Sequence, residues 1–240
     1  MKSLSRVSKL PSSPSRPGLT IAIDGPAASG KSTAAKLVAK KLGYLYLDTG
    51  AMYRALTWKA LRNKVNIKNG KSLSELAKET KIALKSQSNM RTKIYLDGKD
   101  VTSLIRSPLI DKNVSLISVV RGVREAMVAQ QRKIGKEGNI VAEGRDIGTV
   151  VFPKAEVKIF LTASVEERVK RRWKEEADKG LSSEKKGVAI GLLTRDRIDS
   201  QRKIAPLKKA REAIVIDNTC LNISQTVDRI LEVVKTKLNS

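Results

Sequence analysis

Residues 20–33 read TIAIDGPAASGKST, an apolar segment that leads directly into the pattern Gly-x-x-x-x-Gly-Lys-Ser. A strand before this pattern and a helix after it are the context in which such a loop binds nucleotide phosphates. The following residues, 34–42, are rich in alanine, lysine and leucine, which favours the helix. The stretch therefore predicts a strand, a phosphate-binding loop and a helix. A glycine-rich turn that binds no ligand is the alternative.

The residue types of this loop suit a bound polyphosphate. Glycines at positions 25 and 30 let the backbone turn, so that successive N–H groups point into one concavity. Lys31 can reach the β- and γ-phosphates, and the Ser32 hydroxyl can ligate Mg²⁺. The helix that begins near Lys31 directs its positive end at the same anion. The loop fixes a phosphate donor and a metal, and it leaves the acceptor open.

The composition limits the chemistry that the chain can perform. Its 240 residues contain no histidine and one cysteine, Cys220, so a histidine base, a histidine metal ligand and an internal disulfide are excluded. No apolar run approaches the roughly 18 residues of a membrane-spanning helix. Catalysis must therefore use carboxylates, lysine, arginine and a metal. We expect a cytoplasmic protein of one medium domain that does not contact a membrane.

The net charge of +24 allows two interpretations. A basic surplus of this size is compatible with nucleic-acid binding, and a phosphate-loop protein that binds nucleic acid is one alternative. The interleaved aromatic residues and known motifs of such modules are absent, so we interpret most of the lysines as solvated and expect no nucleic-acid partner. Residues 1–18 contain serine, proline and basic residues without an acid, which predicts a disordered basic tail.

Apolar segments alternate with helical ones along residues 19–65 and 119–240, which predicts a parallel sheet covered on both faces. Between them, residues 66–118 are predicted to form a small insert, because KIYLDGKDVT (Lys93–Thr102) alternates around Asp97-Gly98 like a β-hairpin. A polar, glycine-bounded segment at about 178–190 is predicted to be a lid. Helices are predicted for residues 51–64, 70–85, 121–136 and 164–178, and strands for residues 44–48, 139–142, 157–161 and 213–216.

Ligands of parallel α/β sheets collect at the carboxyl ends of the strands, and three charged clusters follow predicted strands or lie beside them. In LDTGAMYR (47–54), Asp48 or Thr49 could simply cap a helix, while Arg54 lies within reach of an anion. In EGRDIG (143–148), the acid can hold a Mg²⁺-bound water and the glycines let a loop present its arginine and aspartate. A surface turn is the alternative there.

The third cluster is RDRIDSQR (195–202). On a helix, Arg195, Asp199 and Arg202 share one face, because residues separated by three or four positions are neighbours. That face could clamp a phosphate and a ribose, or it could be a solvated ladder of salt bridges.

The chain closely resembles bacterial cytidylate (CMP/dCMP) kinases, from about Ile21 to the C-terminus, in the ordered motifs IDGPAASGKST, LDTGAMYR, VREAMVAQQR, EGRDIGTVVFP, VKIFLTAS and RDRIDSQRKIAPL. The resemblance implies a P-loop nucleoside monophosphate kinase fold of the α/β class, a five-stranded parallel sheet flanked by helices with a substrate-binding insert and a short lid. It also implies transfer of the γ-phosphoryl group of ATP to CMP or dCMP with Mg²⁺, by a monomer. A kinase for UMP is the closest alternative activity.

Residue roles follow from the resemblance by position. The ATP phosphates would be held by Gly25, Pro26, Ala27, Ala28, Ser29, Gly30, Lys31, Ser32 and Thr33, with Mg²⁺ on Ser32. The CMP site would comprise Thr49, Tyr53, Arg54, Ser115, Arg124, Arg145, Asp146, Arg195, Asp199 and Arg202, among which Arg54, Arg145 and Arg202 would bind the phosphate and Arg195 and Asp199 the sugar. Lys31, Arg145 and Arg202 would be catalytic.

The same comparison assigns Ser115, Arg124 and Asp146 to the cytosine edge. An aspartate facing the exocyclic amine and an arginine facing the O2 and N3 acceptors would select cytosine and repel uracil. Two positions depart from the family pattern: Thr49 stands where serine is common, and Glu143 stands where aspartate is common. Both substitutions keep the functional group, so we expect modest effects on geometry.

Overall fold

A computed structural model describes residues 18–86, 92–136, 138–178, 180–181 and 183–238. The predicted tail lies outside the described residues except for Gly18, as do positions 179 and 182 of the predicted lid. The α-helices of the described part are α1 (Lys31–Leu42), α2 (Thr49–Arg62), α3 (Gly70–Glu79), α4 (Pro108–Ser118), α5 (Arg121–Ile134), α6 (Val165–Ala177), α7 (Lys185–Gln201) and α8 (Ile223–Leu238). The strands are β1 (Thr20–Asp24), β2 (Leu45–Asp48), β3 (Ile82–Ser86), β4 (Thr92–Leu96), β5 (Lys99–Asp100), β6 (Ile140–Gly144), β7 (Val157–Thr162) and β8 (Ile214–Asp217).

As predicted, five of these strands form one parallel sheet, and their order is β2-β6-β1-β7-β8. Side chains along β1 alternate between the two faces of the sheet. Ile21 and Ile23 pack with α1 and α8, whereas Ala22 packs with α2 and α5. Because both faces are covered, the strands are largely apolar, and their acidic residues lie at or next to the carboxyl ends. All five strands therefore deliver their last residues to one edge of the sheet.

A second, antiparallel sheet has the order β3-β4-β5. The hairpin predicted around Asp97-Gly98 is confirmed: both residues have positive φ values, 48° and 84°, as tight two-residue hairpin turns require. The helix predicted for residues 70–85 is wrong after Glu79, because Ile82–Ser86 pairs with β4. Buried and exposed residues alternate from Lys81 to Ala83, so cross-strand packing outweighs the helix-favouring lysines there.

The helix α7 begins at Lys185, inside the segment predicted to be a lid. Its N-terminal part therefore belongs to a regular helix of 17 residues that carries the third charged cluster at its far end. The division of the chain into a core, an insert and a lid stays a prediction.

Candidate active site

The loop between β1 and α1 has an unusual backbone at three positions. Gly25 has φ +152°, and a Cβ there would lie 2.0 Å from the carbonyl oxygen of Leu161 in β7. Ala28 and Gly30 also have positive φ values, 57° and 87°, and Gly30 caps α1 without a side-chain hydrogen bond. The first glycine is thus required by the close approach of β7, and no side chain caps the N-terminus of α1.

Lys31 is buried at the base of this loop. Its ammonium donates hydrogen bonds to the Pro26 carbonyl oxygen at 2.5 Å and to the Ser29 hydroxyl at 3.3 Å. Burial, followed by the positive charge of Arg145, lowers the pKa of Lys31. Both of its hydrogen-bond acceptors are neutral, so an anion in the loop would stabilise the charged form.

Residues far along the chain hold the loop in place. The Ala27 N–H donates to the Asp196 carboxylate at 2.9 Å, and Arg168 pairs with that same carboxylate. On the other side, Arg171 and Asn218 donate to the Ser29 carbonyl oxygen at 3.3 and 3.0 Å. The sequence reasoning missed these contacts, because no local pattern brings Asn218 to a residue 189 positions away.

Two oxygen groups beside the loop fit a divalent cation. The Ser32 hydroxyl donates to the Glu143 carboxylate at 2.6 Å, and burial followed by the charge of Asp48 raises the pKa of Glu143. Within the described ranges, no group of three or more histidine, cysteine or acidic residues could hold a metal by itself. Mg²⁺ commonly takes one or two protein oxygens and completes its shell with phosphates and waters, so this pair fits a cation delivered with a nucleotide.

The start of α2 forms the next wall of the cleft. Asp48 caps this helix by accepting the Ala51 N–H at 2.8 Å, which decides between the two predicted capping residues. Thr49 donates instead to the Glu143 carbonyl oxygen at 2.7 Å, joining β2 to β6. Tyr53 is buried, and its hydroxyl has no hydrogen-bond partner among the described residues. Burial raises the pKa of Tyr53 to about 12, so this hydroxyl is a neutral, available donor.

Asp146 lies between two buried arginines. Its carboxylate pairs with Arg124, and the Arg202 guanidinium lies 3.3 Å away. Arg124 also stacks over the Tyr53 ring, with 5.5 Å between the guanidinium carbon and the ring centroid. The resemblance assigned Arg124 and Asp146 to separate groups on one base. Here the two side chains bind each other, so a bound base would contact groups that are already paired.

A second carboxylate, Asp199, lies beside two arginines, Arg145 and Arg202. The Arg145 Nε lies 2.9 Å from it, and the Arg202 Nη1 lies 3.8 Å from it. Arg195 is nearby, and its buried Nε has no partner in the described part of the chain. Burial, followed by the charges of Arg145 and Arg54, lowers the pKa of Arg195 to about 10. Positive charge thus exceeds negative charge here, which favours a bound anion.

Asp24, the last residue of β1, fixes the segment that carries Arg145 and Asp146. Its carboxylate accepts the N–H groups of Ile147 and Gly148, both at 2.8 Å. The chain then makes one turn of π-helix, Ile147–Val151, where the sequence predicted only a tight loop. Single π-turns occur often at functional sites. The sequence reasoning did not find this role of Asp24.

Most of these groups line one cleft of about 1350 Å³. A pocket for one small ligand typically measures about 300–1,000 Å³, so this cleft has room for two nucleotides. Its lining includes all ten residues predicted for the acceptor site, together with Ala27, Ala28, Gly30, Lys31, Ser32 and Thr33 of the loop. Gly25, Pro26 and Ser29 do not line it. The arrangement can bind a polyphosphate at one end and a second phosphorylated molecule opposite.

Comparison with known proteins agrees with this geometry. The family model described as cytidylate kinase matches residues 21–236. A cytidylate kinase of Geobacillus sp. (strain WCH70) is 52% identical over 223 residues, which cover 93% of this chain and 99% of that protein. One from Bacillus subtilis (strain 168) is 49% identical over 219 residues, covering 91% and 97%. The crystal structure of an uncharacterised protein from Eubacterium ventriosum shares the fold, with a TM-score of 0.50 and 12% identity over 91% of this chain and 99% of that one.

Proposed function

The chain belongs to the cytidylate kinase family, and we propose that it transfers the γ-phosphoryl group of ATP to CMP or dCMP, giving ADP and CDP or dCDP. The observation that carries this proposal is one cleft that holds both the phosphate-binding loop and five largely buried arginines. These are Arg54, Arg124, Arg145, Arg195 and Arg202. A donor site alone would need only the loop. Arginines opposite it provide for a second anion, which is what a nucleotide acceptor supplies.

At the donor end, the loop from Gly25 to Thr33 would hold the ATP phosphates with its N–H groups and the N-terminus of α1. Lys31 would exchange its neutral acceptors for the transferred group. Ser32, with Glu143 through a water, would hold Mg²⁺, which when bound neutralises part of the phosphate charge.

At the acceptor end, Arg54, Arg145 and Arg202 would bind the CMP phosphate. Ser115, Arg124 and Asp146 would read the cytosine edge, with the carboxylate facing the exocyclic amine. The sugar would lie against Arg195 and Asp199, and Thr49 and Tyr53 would line the site. Support for these roles comes from the convergence of these side chains on one cleft.

The chemistry follows from the groups present. An acceptor phosphate oxygen is already ionised and can attack in line without a general base, which suits a chain without histidine. Lys31, Arg145 and Arg202 would stabilise the charge on the passing phosphoryl group. Closure of the segment near residues 178–190 would exclude water, which otherwise competes as the acceptor.

We further propose that the protein acts as a monomer in the cytoplasm. Residues of one chain complete the cleft, and the single cysteine, Cys220, is an exposed thiol, as suits a reducing compartment. Among the described residues no helix is long and apolar enough to span a membrane.

A panel of nucleoside monophosphates tests the proposal. With ATP and Mg²⁺, ADP should form fastest with CMP and dCMP and much more slowly with UMP, AMP and GMP. A Lys31→Met preparation controls for contaminating kinases. UMP or AMP turnover equal to that of CMP would contradict the proposal, and CMP-competitive, steeply salt-dependent binding of a polynucleotide would favour the nucleic-acid alternative.

A further inference from the structure

Asp111 of α4 lies where three other helices meet. Its carboxylate pairs with Arg54 of α2, lies 2.8 Å from Arg172 of α6, and lies 4.0 Å from Arg195 of α7. Only 17% of the side chain is exposed. One negative charge therefore joins four helices through three arginines, and the roles proposed above leave it unused.

The three arginines depend on Asp111 to different degrees. Within the described residues, Arg54 is ion-paired with Asp111 and with no other acid. Arg172 also binds Glu175 at 3.1 Å and Glu176 at 2.8 Å, so it keeps acidic partners if Asp111 moves away. The consequence of displacing Asp111 therefore falls mainly on Arg54, which is buried and needs another anion.

The position of Asp111 on α4 connects it with the acceptor site. Ser115 follows it by four residues, so both side chains lie on the same face of the helix, and both line the cleft. Burial acts to raise the pKa of Asp111, but Arg54 and Arg172 outweigh it and lower the pKa to about 2. The carboxylate is therefore ionised at any pH at which the enzyme is assayed.

Building on the proposed role of Arg54, we propose that Asp111 is an internal competitor for the acceptor phosphate. In the free protein its carboxylate occupies Arg54, and CMP binds by displacing it. A phosphate dianion carries more charge and more acceptor oxygens than a carboxylate, so it prevails, but its net affinity is reduced by the ion pair that it breaks. Asp111 thereby sets the KM for CMP without touching the transferred group.

The test is the kinetics of Asp111→Asn, with CMP varied at saturating ATP. Since the amide keeps the shape and removes the charge, the KM for CMP should fall about three- to fivefold, the upper part of the range measured for ion pairs near a protein surface. The kcat and the KM for ATP should stay within about twofold of wild type. By calorimetry CMP should bind more tightly, whereas cytidine, which has no phosphate, should bind with unchanged affinity.

Two variants separate the charge from a structural effect. Asp111→Glu keeps the carboxylate and should retain the wild-type KM for CMP. Glu176→Gln removes a carboxylate of matching exposure, 16% against 17%, from Arg172 but not from Arg54, and it should leave the KM unchanged. If Asp111→Asn does not fold, Asp111→Ser serves the same purpose. An unchanged or raised KM for CMP, or a parallel change for cytidine, overturns the proposal.

Arg54→Met, measured in parallel, distinguishes this inference from the proposed function. If Arg54 binds the acceptor phosphate, the KM for CMP should rise at least tenfold, as expected when a charge-assisted contact is lost. An unchanged KM in Arg54→Met would remove the phosphate role on which the competition depends. A raised KM in Arg54→Met with an unchanged KM in Asp111→Asn would overturn the competition alone.

Discussion

Replacing Asp24 by asparagine should change the pH dependence of stability by an amount that the structure fixes. Asp24 is 3% exposed, and burial outweighs its two backbone hydrogen bonds, which raises its pKa from 3.8 to about 6. A carboxyl whose pKa is higher in the folded state stabilises the fold below pH 3.8, and this stabilisation is lost as the pH rises through about 6.

The size of the effect follows from the shift of about two pKa units. At about 1.4 kcal/mol per unit, the wild-type protein loses about 3 kcal/mol across the whole window, of which about 2 kcal/mol falls between about pH 4.5 and pH 8. The asparagine side chain of the variant cannot titrate, so the variant lacks this loss. At a single pH the comparison is less informative, because the amide also leaves one of the Ile147 and Gly148 N–H groups unpaired, a cost of about 1–3 kcal/mol.

Urea unfolding of both proteins at the two pH values measures the effect. The free energy of unfolding of Asp24→Asn, relative to wild type, should increase by about 2 kcal/mol from about pH 4.5 to pH 8. Asp217→Asn, also at a strand end, is the matched control: the Thr219 hydroxyl and N–H lower the pKa of Asp217, so this carboxylate is ionised at both pH values and its difference from wild type should stay constant. The reasoning would be refuted if the free energy of unfolding of Asp24→Asn, relative to wild type, changed by less than about 0.5 kcal/mol between the two pH values.

Two further substitutions test the cleft. Asp146→Ala should lower the ratio of kcat/KM for CMP over UMP at least tenfold, since the group proposed to face the cytosine amine is lost; an unchanged ratio would mean that the assigned role is wrong. Gly25→Ala should lower the free energy of unfolding by roughly 2–4 kcal/mol, because its Cβ would meet the Leu161 carbonyl oxygen. Gly187→Ala, with nothing within 4 Å, should not destabilise, and a wild-type thermal midpoint in Gly25→Ala would contradict the prediction.

The sheet and the edge at which the cleft lies could be predicted from sequence, because both depend on the order of short segments along the chain. Apolar strands alternate with helices, and acids close the strands that end at Asp24 and Asp48. The same local reasoning failed at Ile82–Ser86, where lysine-rich composition suggested a helix and pairing with β4 decided for a strand. Propensity is a weak guide where cross-strand packing competes with it.

Several contacts that stabilise the cleft could not be predicted, because they join residues more than a hundred positions apart. Asp196 reaches the Ala27 N–H over 169 positions, and Asp24 reaches the Gly148 N–H over 124. Such pairs depend on strand order and helix packing, and the sequence pattern specifies neither to the precision of a hydrogen bond. The motifs could assign charges to the cleft, but not which carboxylate neutralises which arginine.

That pairing determines how each acid should affect substrate affinity. The buried arginines of the cleft need a negative partner at all times, since an unpaired buried charge is strongly destabilising. In the free protein Asp111 supplies it for Arg54, Asp199 for Arg145, and Asp146 for Arg124. The free energy of CMP binding is then the difference between two states. In one, the acids neutralise the arginines, and in the other the substrate phosphate does so. Removing an acid that the substrate displaces should strengthen binding, as proposed for Asp111, whereas removing one that also contacts the nucleoside should weaken it, as proposed for Asp146.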